Sequence, residues 1–156
     1  MPTKLGSFTA GQVLTATDLN DIATWTSYTP AFAGGVTVGN GTWDAAYAIV
    51  NKILFFQGTF TLGSTSAITG AVTLTVPDSR TFPSANQEIL GNARFAVASV
   101  PFDFYGGVGE NSTTSVAVFV YDTSGTYMDR TNLSATVPQT WQTGNTIGIT
   151  YCARIT

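Results

Sequence analysis

Carboxylates and aromatic rings are the side chains of this chain best equipped for chemistry. A glycosidase-type pair, one acid donating a proton and a second acting as base or nucleophile, would have to be drawn from Asp44, Asp78, Glu88, Asp103, Glu110, Asp122 and Asp129. Most of these lie in stretches rich in Gly, Ser, Thr and Asn, where an Asp carboxylate ordinarily accepts hydrogen bonds from backbone amides of a turn. The 156 residues include no histidine, which removes the usual general base, the triads built on imidazole and the commonest metal ligand. A Gly-x-x-x-x-Gly-Lys phosphate loop and a Gly-x-Ser-x-Gly nucleophile elbow are also missing. Asp122-Thr-Ser-Gly-Thr has the character of a turn rather than of a calcium loop dense in oxygen ligands. The expectation is a non-enzymatic protein with no catalytic residue, no metal site and no cofactor.

Binding chemistry is better represented. Trp43, Phe102, Phe104, Tyr105, Tyr127 and Trp141 are flat surfaces on which the apolar faces of sugar rings can stack, with Asn, Thr and Asp nearby to bond hydroxyls. Phe104, Tyr105 and Tyr127 are the best placed because glycine-containing segments, expected to be loops, carry them. Asn111 and Arg130 lie in the same two segments and complete the candidate contact set. Trp43 and Trp141 are expected in the core.

The elements that must position these residues are strands. Hydrophobic residues make up 44% of the chain, as in a globular protein, but charged residues only 10%, so the surface must consist mainly of Thr, Ser, Asn, Gln and Gly. Thr is the commonest residue and suits half-exposed strands, its β-branch packing and its hydroxyl facing water. A surface with so few charges favours association between copies. The net charge is -3, and Lys4, Lys52, Arg80, Arg94, Arg130 and Arg154 never cluster, so nucleic-acid binding lacks its electrostatic footprint. No apolar run has the length of a membrane span, and residues 1–7 have no secretory h-region. Three Asn-x-Ser/Thr triplets, at Asn40, Asn111 and Asn132, carry weight only in a eukaryotic secretory setting. Cys152 is the lone cysteine, and its place in an alternating strand reads as a small buried residue.

From residue 26 onward the hydrophobic period is two. Asn40-Gly41 signals a type I′ hairpin, Thr42 to Val50 a strand with Trp43, Ala45, Tyr47 and Ile49 on one face, and Asn51-Lys52 a second tight turn. Ile53 to Leu62 is the longest apolar strand and the expected central one, with Gly58 marking a bulge or a close backbone approach. A loop from Gly63 to Gly70 precedes a strand from Ala71 to Val76, and residues 78 to 88 read as a surface excursion. Ile89 to Val100 resumes a strand, Phe102 to Gly107 is a short aromatic segment, and Val108 to Thr114 reads as loop. Ser115 to Tyr121 is another strand, Asp122 to Leu133 a long loop, and the closing strand puts Ile147, Ile149, Tyr151, Ala153 and Ile155 on one face. Short strands at this spacing predict an all-β fold, an antiparallel β-sandwich or jelly roll over residues 26–156.

Residues 1–25 follow a different rule. Thr15 is a candidate N-cap with Asp18 in the capping-box position, Leu14 and Leu19 are spaced as a hydrophobic staple, and Leu19, Ile22 and Trp25 form one apolar stripe. So short a helix needs a surface to lie on. The expectation is an attachment arm whose anchors are Leu14, Leu19, Ile22 and Trp25.

The block Phe8-Thr-Ala-Gly-Gln-Val-Leu-Thr-Ala-Thr-Asp-Leu-Asn20, followed by Trp25-Thr-Ser-Tyr-Thr-Pro30, resembles the N-terminal phrase of small virion proteins of tailed bacteriophages, of the minor tail, tail-fibre or head-fibre type. Val38-Gly-Asn-Gly-Thr42, Phe55-Phe-Gln-Gly-Thr-Phe-Thr-Leu-Gly-Ser-Thr65 and Thr143-Gly-Asn-Thr-Ile-Gly-Ile-Thr-Tyr151 extend the likeness, while the stretch from residue 78 to the start of that last phrase carries none of it. The resemblance implies a virion structural protein assembled in the bacterial cytoplasm, a homotrimer fixed to tail or capsid proteins by its arm. It also implies that the loops near Phe102 to Asn111 and Asp122 to Leu133 contact the host or solvent, and the aromatic residues they carry add a host cell-surface glycan as a candidate partner. Met1 and the short length favour a spike, knob or capsid decoration over a long fibre. A free carbohydrate-binding module is the alternative of a different class.

Overall fold

The computed structural model describes residues 24–84, 88–98 and 103–156; Leu14, Leu19, Ile22 and the helix expected around them lie outside these. Period-two alternation has one consequence throughout, a sheet with an apolar and a polar face. The strands are β1 (Thr26–Ser27), β2 (Phe32–Thr37), β3 (Thr42–Val50), β4 (Ile53–Thr61), β5 (Ala67–Thr75), β6 (Ile89–Ala96), β7 (Asp103–Ser112), β8 (Ser115–Asp122), β9 (Asp129–Asn132) and β10 (Thr146–Arg154). All the pairings are antiparallel, in the order β1-β3-β4-β10-β6-β7-β8-β5-β2, with β9 added to β8. The result is a ten-stranded sheet curled on itself, the all-β, sandwich-like architecture that the alternation predicts. Among the described residues no helix is long and apolar enough to cross a membrane.

The inner face is the core. On β10 the expected face of Ile147, Ile149, Tyr151 and Ala153 is buried, and it meets Leu54, Phe56 and Phe60 of β4 on one side and Ala93 and Phe95 of β6 on the other. β5 and β8 supply Ile68, Val72, Leu74, Val116, Val118 and Val120 from the opposite wall. Burial holds the Tyr151 phenol protonated well above its ordinary range, and Tyr28 adds to the effect.

A curled sheet leaves two edges that must be joined without a ladder. Here β2, at one end of the order, lies against β3 and β4 at the other. Phe32 of β2 sits 5.2 Å from the Trp43 ring and 5.0 Å from the Phe60 ring, and Trp43 and Phe60 are 5.2 Å apart. Tyr28, just after β1, stands edge-on to Tyr47 at 5.6 Å, and its hydroxyl reaches Thr75 Oγ1 of β5 at 3.5 Å. The β2–β3 and β4–β5 connections both cross between the walls and are bonded together, with the Thr65 amide donating to Asn40 Oδ1 at 2.9 Å and Asn40 Nδ2 donating to Ser64 Oγ at 3.1 Å.

That crossing corrects the hairpin expected at Asn40-Gly41. β2 pairs with β5 and β3 with β4, so the turn is an arch between walls, and its positive φ falls on Gly39 at 55°. The left-handed pair characteristic of a type I′ hairpin lies instead at Asn51 and Lys52, with φ of 45° and 67°, joining β3 to β4 as expected. β4 is an interior strand, and Gly58 lies in unbroken register opposite Ala45. The close approach is therefore real and the bulge is not: a Cβ on Gly58 would come within 2.7 Å of the Ala45 methyl. The loop expected over Gly63 to Gly70 is shorter, because β5 starts at Ala67 to bury Ile68.

Phe32→Ala should destabilise the protein by about 2–4 kcal/mol. In a double-mutant cycle on denaturant unfolding, Phe32→Ala and Trp43→Ala should show a coupling of about 0.5–1.5 kcal/mol. Additive effects would mean that the two edges are not held together by this ring contact.

Candidate functional site

The inner face carries the apolar core, and the outer face carries the polar side chains of the strands. Antiparallel register lines up one row across it, from Asp44 of β3 through Thr59 of β4, Gly148 of β10 and Arg94 of β6 to Tyr105 of β7. The next row holds Gln57, Thr150, Asn92 and Gly107. At the centre Gly148 has no side chain, and a shallow hollow of about 250 Å³ opens there, lined by Gln57, Thr59, Asn92, Arg94, Tyr105 and Thr150. The spacing of paired strands puts about 14 Å between Thr59 and Tyr105. Tyr105 is 63% exposed, so its ring forms a wall with a free face.

Arg94 Nε donates to Asp103 Oδ2 at 2.7 Å, a charge-assisted bond along the rim. This hydrogen bond, then the nearby carboxylate charge, raises the Arg94 guanidinium above its already high ordinary value, and the two opposite charges offset each other at the rim. Gln57, Thr59, Asn92 and Thr150 are exposed and make no side-chain hydrogen bond among the described residues. The hollow thus combines uncommitted amide and hydroxyl groups, one neutralised ion pair and one aromatic wall. It is equipped to hold a polar ligand with an apolar face, and no group in it is set up as a nucleophile with an adjacent base.

Of the candidate contact residues that lie among the described ones, Tyr105 alone lines this hollow. Phe104, its neighbour, packs against the core and pairs with Phe95, because alternation sends adjacent residues to opposite faces. The segment carrying them is strand β7, running to Ser112, and not a loop; Val108 within it is fully buried. Its glycines give a strand the composition of a loop. A Cβ on Gly107 would meet the Phe119 ring at 2.6 Å and one on Gly106 the Phe119 carbonyl oxygen at 1.9 Å, so close packing against β8 requires them. Asn111 closes the β7–β8 turn, Nδ2 donating to Ser115 Oγ at 3.0 Å. Arg130 is in β9, opposite Tyr121, with its guanidinium 5.7 Å from the centre of the Phe119 ring. Tyr127 stands 85% exposed in the segment between β8 and β9 and does not line the hollow. Trp25, the one proposed anchor among the described residues, is 51% exposed immediately before β1.

Cys152 is exposed, not buried: the buried face of β10 is the one holding Tyr151 and Ala153, which turns Cys152 outward opposite Phe55. Several carboxylates hold turns or ion pairs. Asp78 accepts from Arg80 Nε at 3.0 Å, Asp122 from the Ser124 amide at 2.8 Å and Asp129 from the Arg130 amide at 2.7 Å. The Ser124 bond holds the Asp122 carboxyl below its usual range. Gln57, Asn92 and Thr150 have no signature in the sequence, because outward polar residues of a strand look alike there; only the register assembles them. A second cleft, of about 300 Å³, lies between Ser27–Thr29 and Trp43–Ala45, where β1 ends, and belongs to the edge closure.

Comparison with known protein families, curated proteins and solved structures finds no match to this chain.

Tyr105→Ala should leave thermal stability almost unchanged, within about 0.5 kcal/mol, as for an exposed side chain. Phe104→Ala should cost about 2–4 kcal/mol through core packing. Equal losses in thermal unfolding would show that Tyr105 is not a free wall.

Proposed function

We propose that the chain is a non-enzymatic structural component of a tailed-bacteriophage particle, a short homotrimeric spike or knob that is fixed by residues 1–25 and presents its β domain to the host surface. The observation that carries this reading is a division of labour along the chain. The phage-like block at Phe8–Asn20 precedes a β fold whose first strand starts at Thr26, and the exposed chemistry of that fold lies in the outer hollow beside Tyr105. A chain with only 10% charged residues leaves few charges for its surface, which supports association between copies. The structural duties of Asp78, Asp122 and Asp129 support a binding role over hydrolysis. On this reading Leu14, Leu19, Ile22 and Trp25 anchor the arm to tail or capsid proteins, and the outer face of β4, β10, β6 and β7 meets a cell-surface glycan. A capsid decoration or head-fibre position would use the same two parts.

Deleting residues 1–25 should abolish incorporation into particles while the remaining chain keeps its β circular-dichroism spectrum. Normal loading of the folded truncation would contradict the virion role. It would favour a free carbohydrate-binding module, which has no use for the arm.

A further inference from the structure

Gly148 lies at the floor of the outer hollow without a structural reason to be glycine. Its φ is not in the left-handed region, and an added Cβ would find only ordinary contacts, Arg94 O at 3.8 Å, Thr59 Oγ1 at 3.9 Å and Arg94 Cβ at 4.0 Å. Glycines in neighbouring strands differ. A Cβ on Gly58 would press on Ala45 at 2.7 Å, and one on Gly91 would overlap the Thr150 carbonyl oxygen at 2.0 Å. Those glycines are required by packing, whereas Gly148 creates a space. The space is bounded by uncommitted polar side chains on two rows and by the exposed ring of Tyr105.

From this arrangement we infer that the hollow is a binding subsite for one neutral hexopyranose ring, with Gly148 as its floor and Tyr105 as its stacking wall. Three features define the class. The volume of about 250 Å³ is small and open, suited to a single sugar residue rather than to a buried cofactor. Thr59, Thr150, Gln57 and Asn92 each offer both a donor and an acceptor, which suits hydroxyls, themselves both donor and acceptor. The ring face of Tyr105 carries the negative side of its quadrupole, and the polarised C–H groups of a pyranose face complement it. Charge excludes the acidic sugars and phosphates: the cation at the site, Arg94, is already bonded to Asp103, and an anion bound there would meet that carboxylate. Asp103 and the free guanidinium nitrogens of Arg94 remain able to bond sugar hydroxyls at the rim.

The ligand class deepens the proposed host-surface role, and its test is separable from that role. Full-length protein is titrated by ligand-observed NMR with methyl glycosides of glucose, galactose, mannose and N-acetylglucosamine, and in parallel with methyl glucuronide and methyl sialoside. At least one neutral glycoside should bind, weakly, and more tightly than either acidic one. Tyr105→Ala and Gly148→Val should each weaken it about tenfold or more, equivalent to about 1.4 kcal/mol. Both variants should keep the wild-type melting temperature, and Tyr127→Ala should keep wild-type affinity. Asn92→Ala gives an independent loss if the valine disturbs the strand. No binding by any neutral glycoside, tighter binding of an acidic one, or binding unaffected by Tyr105→Ala and Asn92→Ala would overturn the assignment. Because Tyr105→Ala should still load into particles normally, failure of the sugar assay leaves the virion role standing, and failure of arm-dependent loading leaves the subsite standing.

Discussion

The contact of Phe32 with Trp43 and Phe60 is the constraint on which the rest of the molecule depends. A ten-stranded antiparallel sheet with one apolar face can bury that face only by folding over on itself, and the fold brings together two edges that share no ladder. Aromatic rings, each able to cover a large area with few rotatable bonds, span the gap between β2 and the β3–β4 pair, and Tyr28 repeats the device where β1 nears β5. Gly58 must stay small because Ala45 and Phe56 occupy the space beside it.

The apolar core takes the inner face and leaves polar side chains on the outer one. On the outer face the register of β4, β10, β6 and β7 fixes where each polar side chain stands, so the hollow beside Tyr105 is built on strand backbone and not on loops. Such a site needs little ordering when a ligand arrives, which suits weak sugar contacts repeated over several copies. Trimeric display in the proposed particle would supply that repetition.

The sequence makes the strands legible wherever apolar alternation is unbroken. Thr42–Val50 and the buried face from Ile147 to Ile155 are readable from period two alone. Misreadings cluster where one residue type serves two physical ends. Gly106, Gly107 and Gly109 look like a loop, yet they lie within β7, where Phe119 of β8 packs closely on the first two. Asn40-Gly41 has the composition of a hairpin, but composition cannot say which strand the chain will pair with next. Phe104 and Tyr105 appear as one aromatic pair, and only strand geometry divides them between core and surface. Cys152 follows from the same parity, since the face holding Ile149, Tyr151 and Ala153 cannot also hold it. The polar lining of the hollow has no local signature, because it is made by lateral pairing of residues distant in the chain.

Tyrosine footprinting of purified intact particles, read by mass spectrometry against the free protein, tests the account most directly. The chain should be present in the particles, with Tyr105 modified to the extent seen in the free protein and the buried Tyr151 protected in both. Absence of the chain from purified particles, or protection of Tyr105 on them, would contradict a virion knob that turns this face toward the host.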